Sequence, residues 1–183
     1  LPGGSGEIIT FKTGEKEPVC ALLFKVAMDE GRRLVYLRVF SGCITPGMEV
    51  YNPRLGASAR IARLFVMHSH KRQRVDKAGP GSIVAATGLR YTTTGDTLCS
   101  EQAPILLLDI EAYEPVMSLA LELGSSSDSD KLELSLSKLA DEDPTVLVRV
   151  DEETGQTLIS GMGELHLEIL VERLRREFKL SVT

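Results

Sequence analysis

The 183-residue chain is 43% hydrophobic and 26% charged, with a formal net charge of −5; this is a globular balance with volume for one large or two small domains. No apolar run approaches the roughly 18 residues of a membrane helix. The opening Leu1-Pro2-Gly3-Gly4-Ser5-Gly6 has neither Met nor the layout of a signal peptide, so residues 1–17 read as a linker and the chain as a fragment. Cys20, Cys43 and Cys99 are widely spaced and odd in number, which predicts free thiols in a reducing cytoplasm rather than a disulfide framework or zinc site. Residues 1–105 hold 14 Lys/Arg and 9 Asp/Glu, giving +5, while residues 106–183 hold 7 and 17, giving −10. That split predicts two domains, 18–105 and 106–183, the first suited to phosphate and the second repelling it.

In chain order, strands are predicted over Cys20–Ala27, Arg33–Ser41, Glu49–Tyr51, Ser58–Met67, Ile83–Thr87 and Asp96–Leu98. Turn residues separate them, as in Asp29-Glu30-Gly31, Pro46-Gly47, Asn52-Pro53 and Thr94-Gly95-Asp96. Short strands at this spacing, without an intervening helix, predict a closed or nearly closed antiparallel barrel. The period then changes. Ile105–Asp109 and Val116–Leu123 read as strands, and Gly124–Ser129 as a polar loop rich in helix N-caps. Leu132, Leu136, Leu139 and Ala140 recur at helical spacing before a stop at Pro144. Val146, Val148 and Val150 alternate, Glu152–Gly155 turns, and Gln156–Ser160 returns as a hairpin. A second helix over about Gly163–Phe178 puts Leu167, Leu170, Val171, Leu174 and Phe178 on one stripe, and Lys179–Thr183 closes as a strand. The order β-α-β-β-α-β is ferredoxin-like.

No G-x-x-x-x-G-K-[ST] occurs, so nothing here cradles a nucleotide's β- and γ-phosphates; no GTP hydrolysis, catalytic residue or cofactor is expected of this chain. His68 and His70 sit close together, but Lys71, Arg72 and Arg74 beside them repel a cation, and no metal site is expected. The basic run itself, Arg54, Arg60, Arg63, Lys71, Arg72, Arg74 and Lys77, is the better candidate. With only Phe65 interleaved, it predicts backbone phosphate contact without base stacking. His166 and Glu168 point apart on a helix, so they form no acid–base pair. His166, Leu170 and Arg173 share a face at i, i+4 and i+7, read as an interface or surface. Gly161 and Gly163 read as a structural turn that permits unusual backbone angles and close packing.

The wording of several stretches carries more than their pattern. Ser160–Ile169, Lys138-Leu139-Ala140-Asp141-Glu142-Asp143-Pro144, Glu153–Thr157 and Glu172–Phe178 resemble domain III of bacterial elongation factor G, a ribosomal translocation GTPase. Arg38–Gly42, Ala62-Arg63-Leu64, Ala78–Gly81 and Thr94–Leu98 are similar to its domain II, an EF-Tu-like barrel, and Glu114-Pro115-Val116 to the start of domain III. The resemblance runs from about Glu17 to Thr183. It implies a domain II against 16S rRNA, with Arg54, Arg60, Arg63, Lys71, Arg72 and Arg74 as candidate contacts. It implies a domain III between the G domain of its own parent chain and small-subunit protein S12. Residues His166, Leu170, Arg173, Gly161 and Pro115 then match the edge of a pocket shared with the G domain, where fusidic acid binds. GTP and Mg are implied in the G domain of a cytoplasmic parent, and domain III as the relay of its switch state. The shorter stretch before Glu17-Pro18 keeps a ribosome-recycling paralogue open, as well as a LepA-type, BipA-type or ribosome-protection factor. A standalone ferredoxin-like enzyme with an accessory barrel is the alternative from another class.

Overall fold

The computed structural model describes residues 12–29, 31–68, 71–107, 113–124 and 128–182. The linker start Leu1–Gly6, His70, Ser125–Ser127 and Thr183 lie outside the described residues. The chain divides into two compact units, Leu1–Ile110 and Glu111–Thr183.

The first unit holds β1 (Cys20–Asp29), β2 (Arg32–Ser41), β3 (Glu49–Asn52), β4 (Ala57–Arg60), β5 (Arg63–His68), β6 (Lys71–Val75), β7 (Ile83–Thr87) and β8 (Thr97–Cys99). Every pairing is antiparallel, in the order β4-β3-β8-β1-β2-β7-β5-β6. Alternation places Leu23, Leu37, Val39, Leu64, Val84 and Leu98 inside, with Ile44, Ile61 and Leu89 contributed by connections. These inward rows are what period-2 patterning predicts for a barrel.

One expected strand, Ser58–Met67, is instead two. Ile61 N–H donates to Met48 O at 3.0 Å, whereas Ala62 N–H donates to Thr87 O at 2.7 Å. The chain therefore changes partner at this corner: β4 pairs with β3 and β5 pairs with β7. The sheet closes on itself through that change. Gly88 makes it possible, with φ +102° and so little room that a Cβ there would stand 2.8 Å from Ala62 N. Strand β6 was not anticipated, because Lys71-Arg72-Gln73-Arg74 offers no apolar alternation; cations on a sheet edge are a common guard against stray pairing. The last strand begins at Thr97 rather than Asp96, and Ile105–Leu107 form no strand, with Leu107 N–H donating to Thr97 Oγ1 at 3.0 Å. Residues 108–109 of that expected strand lie outside the described residues.

Asp96 accepts Leu23 N–H of β1 at 2.9 Å through its backbone oxygen, and its side chain serves as an anchor. Its carboxylate is buried and accepts from Asn52 Nδ2 and from Thr93 N–H, each at 2.8 Å, while pairing with Arg54 Nε. Asn52, also buried, accepts the N–H groups of Arg54 and Leu55 through Oδ1 at 3.0 and 3.3 Å. The β3–β4 turn is thus tied to the approach to β8 by a charge whose hydrogen bonds are supplied by the fold. Cys20 and Cys99 face each other across β1 and β8, both buried and both free thiols. Burial, and secondarily Cys99, pushes the Cys20 thiol up to about 11, which leaves it inert at neutral pH.

The second unit holds β9 (Met117–Leu121), α1 (Ser129–Glu142), β10 (Leu147–Val150), β11 (Thr157–Gly161) and α2 (Glu164–Arg176). Its sheet runs β10-β11-β9, antiparallel throughout. The fourth position of the ferredoxin-like order is filled by a single bridge, Leu123 to Val182, beside β9. The expected closing strand over Lys179–Thr183 is thus reduced to one pairing. Lys179 takes φ +53°, which turns the chain just before it, and Arg175 holds Val182 O at 2.8 and 3.0 Å. Leu132, Leu136 and Leu139 of α1 pack with Leu167, Leu170, Val171 and Leu174 of α2 over Leu121 and Ile159.

Replacing Asp96 by Ala leaves Asn52 and Thr93 N–H unpaired in the interior, and the barrel is expected to lose about 2–4 kcal/mol. Urea unfolding checks this; a loss under about 0.5 kcal/mol, the scale of a surface change, contradicts the anchor.

Candidate functional site

The glycine turn between β11 and α2 is built for proximity, not for unusual angles. Neither Gly161 nor Gly163 lies in the left-handed region. A Cβ on Gly161 would stand 3.0 Å from His166 Nδ1 and 3.1 Å from Leu167 Cδ2, so only hydrogen lets the helix start this close to the strand. Val116 N–H donates to Gly161 O at 3.0 Å, bringing the Pro115–Val116 segment to the same glycine.

His166 is the third residue of α2. Its Nδ1 accepts the N–H of Met162, the residue before the N-cap Gly163, at 3.1 Å, which ties the first turn of the helix to the glycine turn ahead of it. With Nδ1 an acceptor, the ring proton of the neutral form sits on Nε2, which faces Asp143 Oδ2 at 3.3 Å. Spacing along one helix offers His166 no acid partner; the fold supplies Asp143 from the end of α1. Asp143 is itself held, its Oδ1 accepting Thr145 N–H at 2.8 Å and Thr145 Oγ1 at 2.6 Å across Pro144. Two turns along α2, Arg173 Nη2 donates to Glu142 Oε2 at 2.7 Å and its Nε to Glu177 Oε1 at 3.0 Å. These carboxylates, Glu177 foremost, hold the guanidinium's pKa above its usual range against partial burial.

The i, i+4, i+7 face therefore meets the C-terminus of α1 in two polar rungs, His166–Asp143 and Arg173–Glu142. Leu170 lies between them, 3% exposed and part of the core. The missed signal was the Glu142-Asp143-Pro144 run, whose acids are the other halves of both rungs. Beside this face, α2 exposes Leu165 and Ile169 at 70% and 50%, an apolar strip bordered by Glu168, Glu172 and Arg176.

In the first unit the six candidate cations fall into two groups. Arg63 opens β5, and Lys71, Arg72 and Arg74 line β6, its hairpin partner. Arg54 and Arg60 sit on the β3–β4 hairpin at the other end of the sheet order. Arg54 is engaged by Asp96, and Arg60 Nε donates to Gly47 O at 2.9 Å. Lys77 pairs with Glu15 at 2.6 Å. Strands β1, β2, β7, β5 and β6 stand side by side and carry eight Lys/Arg against one acid, Asp29. That acid is taken by Arg72 at 2.5 Å. His68 is exposed and faces Lys71 across the hairpin. Among the described residues no group of three His, Cys, Asp or Glu could hold a metal ion, and no helix is long and apolar enough to cross a membrane.

Residues 18–101 match the family profile described as elongation factor G domain 2, and residues 113–183 that of elongation factor G, domain III. Elongation factor G 2 of Syntrophus aciditrophicus is 53% identical over 91% of this chain and 25% of its own length. Elongation factor G of Thermotoga petrophila is 52% identical over 97% of this chain and 26% of its own. Elongation factor G 1 of Geobacter sulfurreducens is 53% identical over 90% and 24%. A crystal structure from Thermus thermophilus superposes with a TM-score of 0.79 at 27% identity, over 91% of this chain and 25% of that one. A barrel followed by a ferredoxin-like unit, matched in this order, defines a two-domain module of a translation factor. The chain belongs to the elongation factor G family and covers its domains II and III, about a quarter of the length of the curated relatives it matches.

If the His166–Asp143 rung links the two helices, His166→Ala and Asp143→Ala each cost about 1 kcal/mol, and the double variant costs less than their sum. A urea double-mutant cycle measures this; strict additivity contradicts the rung.

Proposed function

We propose that this chain is the part of a ribosomal GTPase that docks on the small subunit and relays nucleotide state during translocation. The carrying observation is the ordered match of both units to domains II and III of one translation-factor family. In this reading the cationic strands of the barrel contact 16S rRNA through its phosphates, and domain III packs between protein S12 and the G domain. The parent protein works in the cytoplasm, and its G domain holds GTP and Mg and performs the hydrolysis. Supporting the rRNA role is the excess of eight cations over one acid on five adjacent strands, the arrangement that gains most from counterion release.

The corner formed by Gly161, Pro115, His166, Leu170 and Arg173 is then the edge of the pocket shared with the G domain, where fusidic acid binds. Its support is mechanical. The two rungs fix the start of α2 against the end of α1, so force applied at the glycine turn moves both helices together. The exposed Leu165 and Ile169 beside it offer an apolar strip for a neighbouring domain to cover.

In the intact protein, Arg63→Ala with Arg74→Ala is expected to weaken small-subunit binding roughly tenfold at low salt, the gap narrowing as salt rises. Equal affinity at low salt, measured by filter binding, overturns the rRNA assignment. His166→Ala in the same protein leaves it folded and lowers ribosome-stimulated GTP turnover or alters its response to fusidic acid. Unchanged turnover and drug response contradict the relay.

A further inference from the structure

We infer that Tyr91, at the tip of the loop between β7 and β8, is a stacking platform for one unpaired RNA base, with the arginines around it taking the neighbouring phosphates. The inference rests on the rRNA-binding reading above and adds base stacking to it, at a place outside the cationic strands.

Tyr91 is 81% exposed, the most open large apolar side chain of the barrel unit among the described residues. Nothing overhangs its ring, yet the backbone that carries it is fixed. Leu89 and Thr92, on either side of Arg90-Tyr91, are buried, and Thr92 Oγ1 donates to Leu89 O at 3.3 Å, closing the tip into a turn. Just past the tip, Thr93 N–H donates to Asp96 Oδ2 and Gly95 N–H to Leu23 O, each at 2.8 Å. Two arginines from other strands and turns grip the same stretch. Arg33 Nη2 donates to Thr92 O and Arg54 Nη2 to Thr93 Oγ1, both at 2.5 Å. A ring on such a mount loses little further freedom when a ligand covers it.

The charge around the tip says what that ligand is. Arg33 and Arg54 hold the two residues that follow Tyr91, and Arg90, exposed, precedes it. Gly88–Gly95 contains no acid. Asp96, the first acid after it, is buried and engaged by Arg54, Asn52 and Thr93 N–H. An open ring with cations beside it is the means by which proteins hold single-stranded nucleic acid. A protein partner would need a broader apolar centre. Among the described residues of this loop and the β3–β4 hairpin, Leu55 is the one other exposed large apolar side chain. A base inside a helix has both faces covered by its stack, so the ligand is a bulged or looped nucleotide.

The test uses this chain and three RNA duplexes of one sequence: one with a single bulged 2-aminopurine, one abasic at the bulge, and one fully paired. The 2-aminopurine duplex is expected to bind roughly tenfold tighter than the other two, with quenched fluorescence. Tyr91→Leu removes most of that preference and Tyr91→Phe keeps it, with thermal melting to check that both remain folded. Arg90→Ala weakens all three duplexes alike and lowers the salt slope. Equal binding of the three duplexes overturns the stacking platform while leaving phosphate contact intact. A preference that survives Tyr91→Leu overturns it as well. No binding to any duplex at low salt overturns both this inference and the rRNA reading, and leaves the tip to an acidic protein.

Discussion

The barrel depends on one short stretch of chain that serves two partners. Up to Arg60 the strand pairs with β3; from Arg63 it pairs with β7, and the switch takes two residues. At that corner Gly47 N–H donates to Ile61 O at 2.7 Å, Ile61 N–H to Met48 O at 3.0 Å and Ala62 N–H to Thr87 O at 2.7 Å. Three backbone hydrogen bonds to two consecutive residues tolerate little slippage, and a one-residue slip reverses every side chain on the strand. Closure therefore fixes the register of β5 against β7, and that register decides which residues face outward. Arg63 and Phe65 lie outside and Leu64 inside for this reason alone.

The second unit uses side chains where the first uses backbone. The start of α2 carries no capping side chain at Gly163, and His166 instead fastens the preceding turn to the helix by accepting Met162 N–H. The same ring reaches Asp143, so a local bond to the turn becomes a link between helices. Arg173 repeats the link with Glu142, and Leu170 is buried between the two. Such half-exposed pairs add little stability individually. Their contribution is geometric, since they define how the two helices and the glycine turn meet.

Much of this was legible in the residues. Alternation located the long strands β1 and β2 nearly to their ends, and 3.6-residue periodicity with the Pro144 stop located both helices. What stayed hidden depends on partners distant in sequence. The break at Ile61-Ala62 is invisible because both residues suit a strand, and only Met48 and Thr87 reveal the change of ladder. Strand β6 is hidden by its charges. Asp96 looks like a turn residue until Asn52 and Arg54 arrive beside it. The polar rungs behave likewise: helix spacing groups His166, Leu170 and Arg173 correctly, yet cannot show that Glu142 and Asp143 complete them. The clamp behind Tyr91 is hidden in the same way, since Arg33 and Arg54 reach Thr92 and Thr93 from 59 and 39 residues away.

Native-state hydrogen exchange at the corner amides tests the closure most directly. The account predicts that Ile61 and Ala62 N–H exchange only through global unfolding of the barrel, with the same free energy as core amides of β1 and β2. Exchange of either amide through local opening at a clearly lower free energy would contradict it, and would make the outward register of β5 a loose preference rather than a consequence of closure.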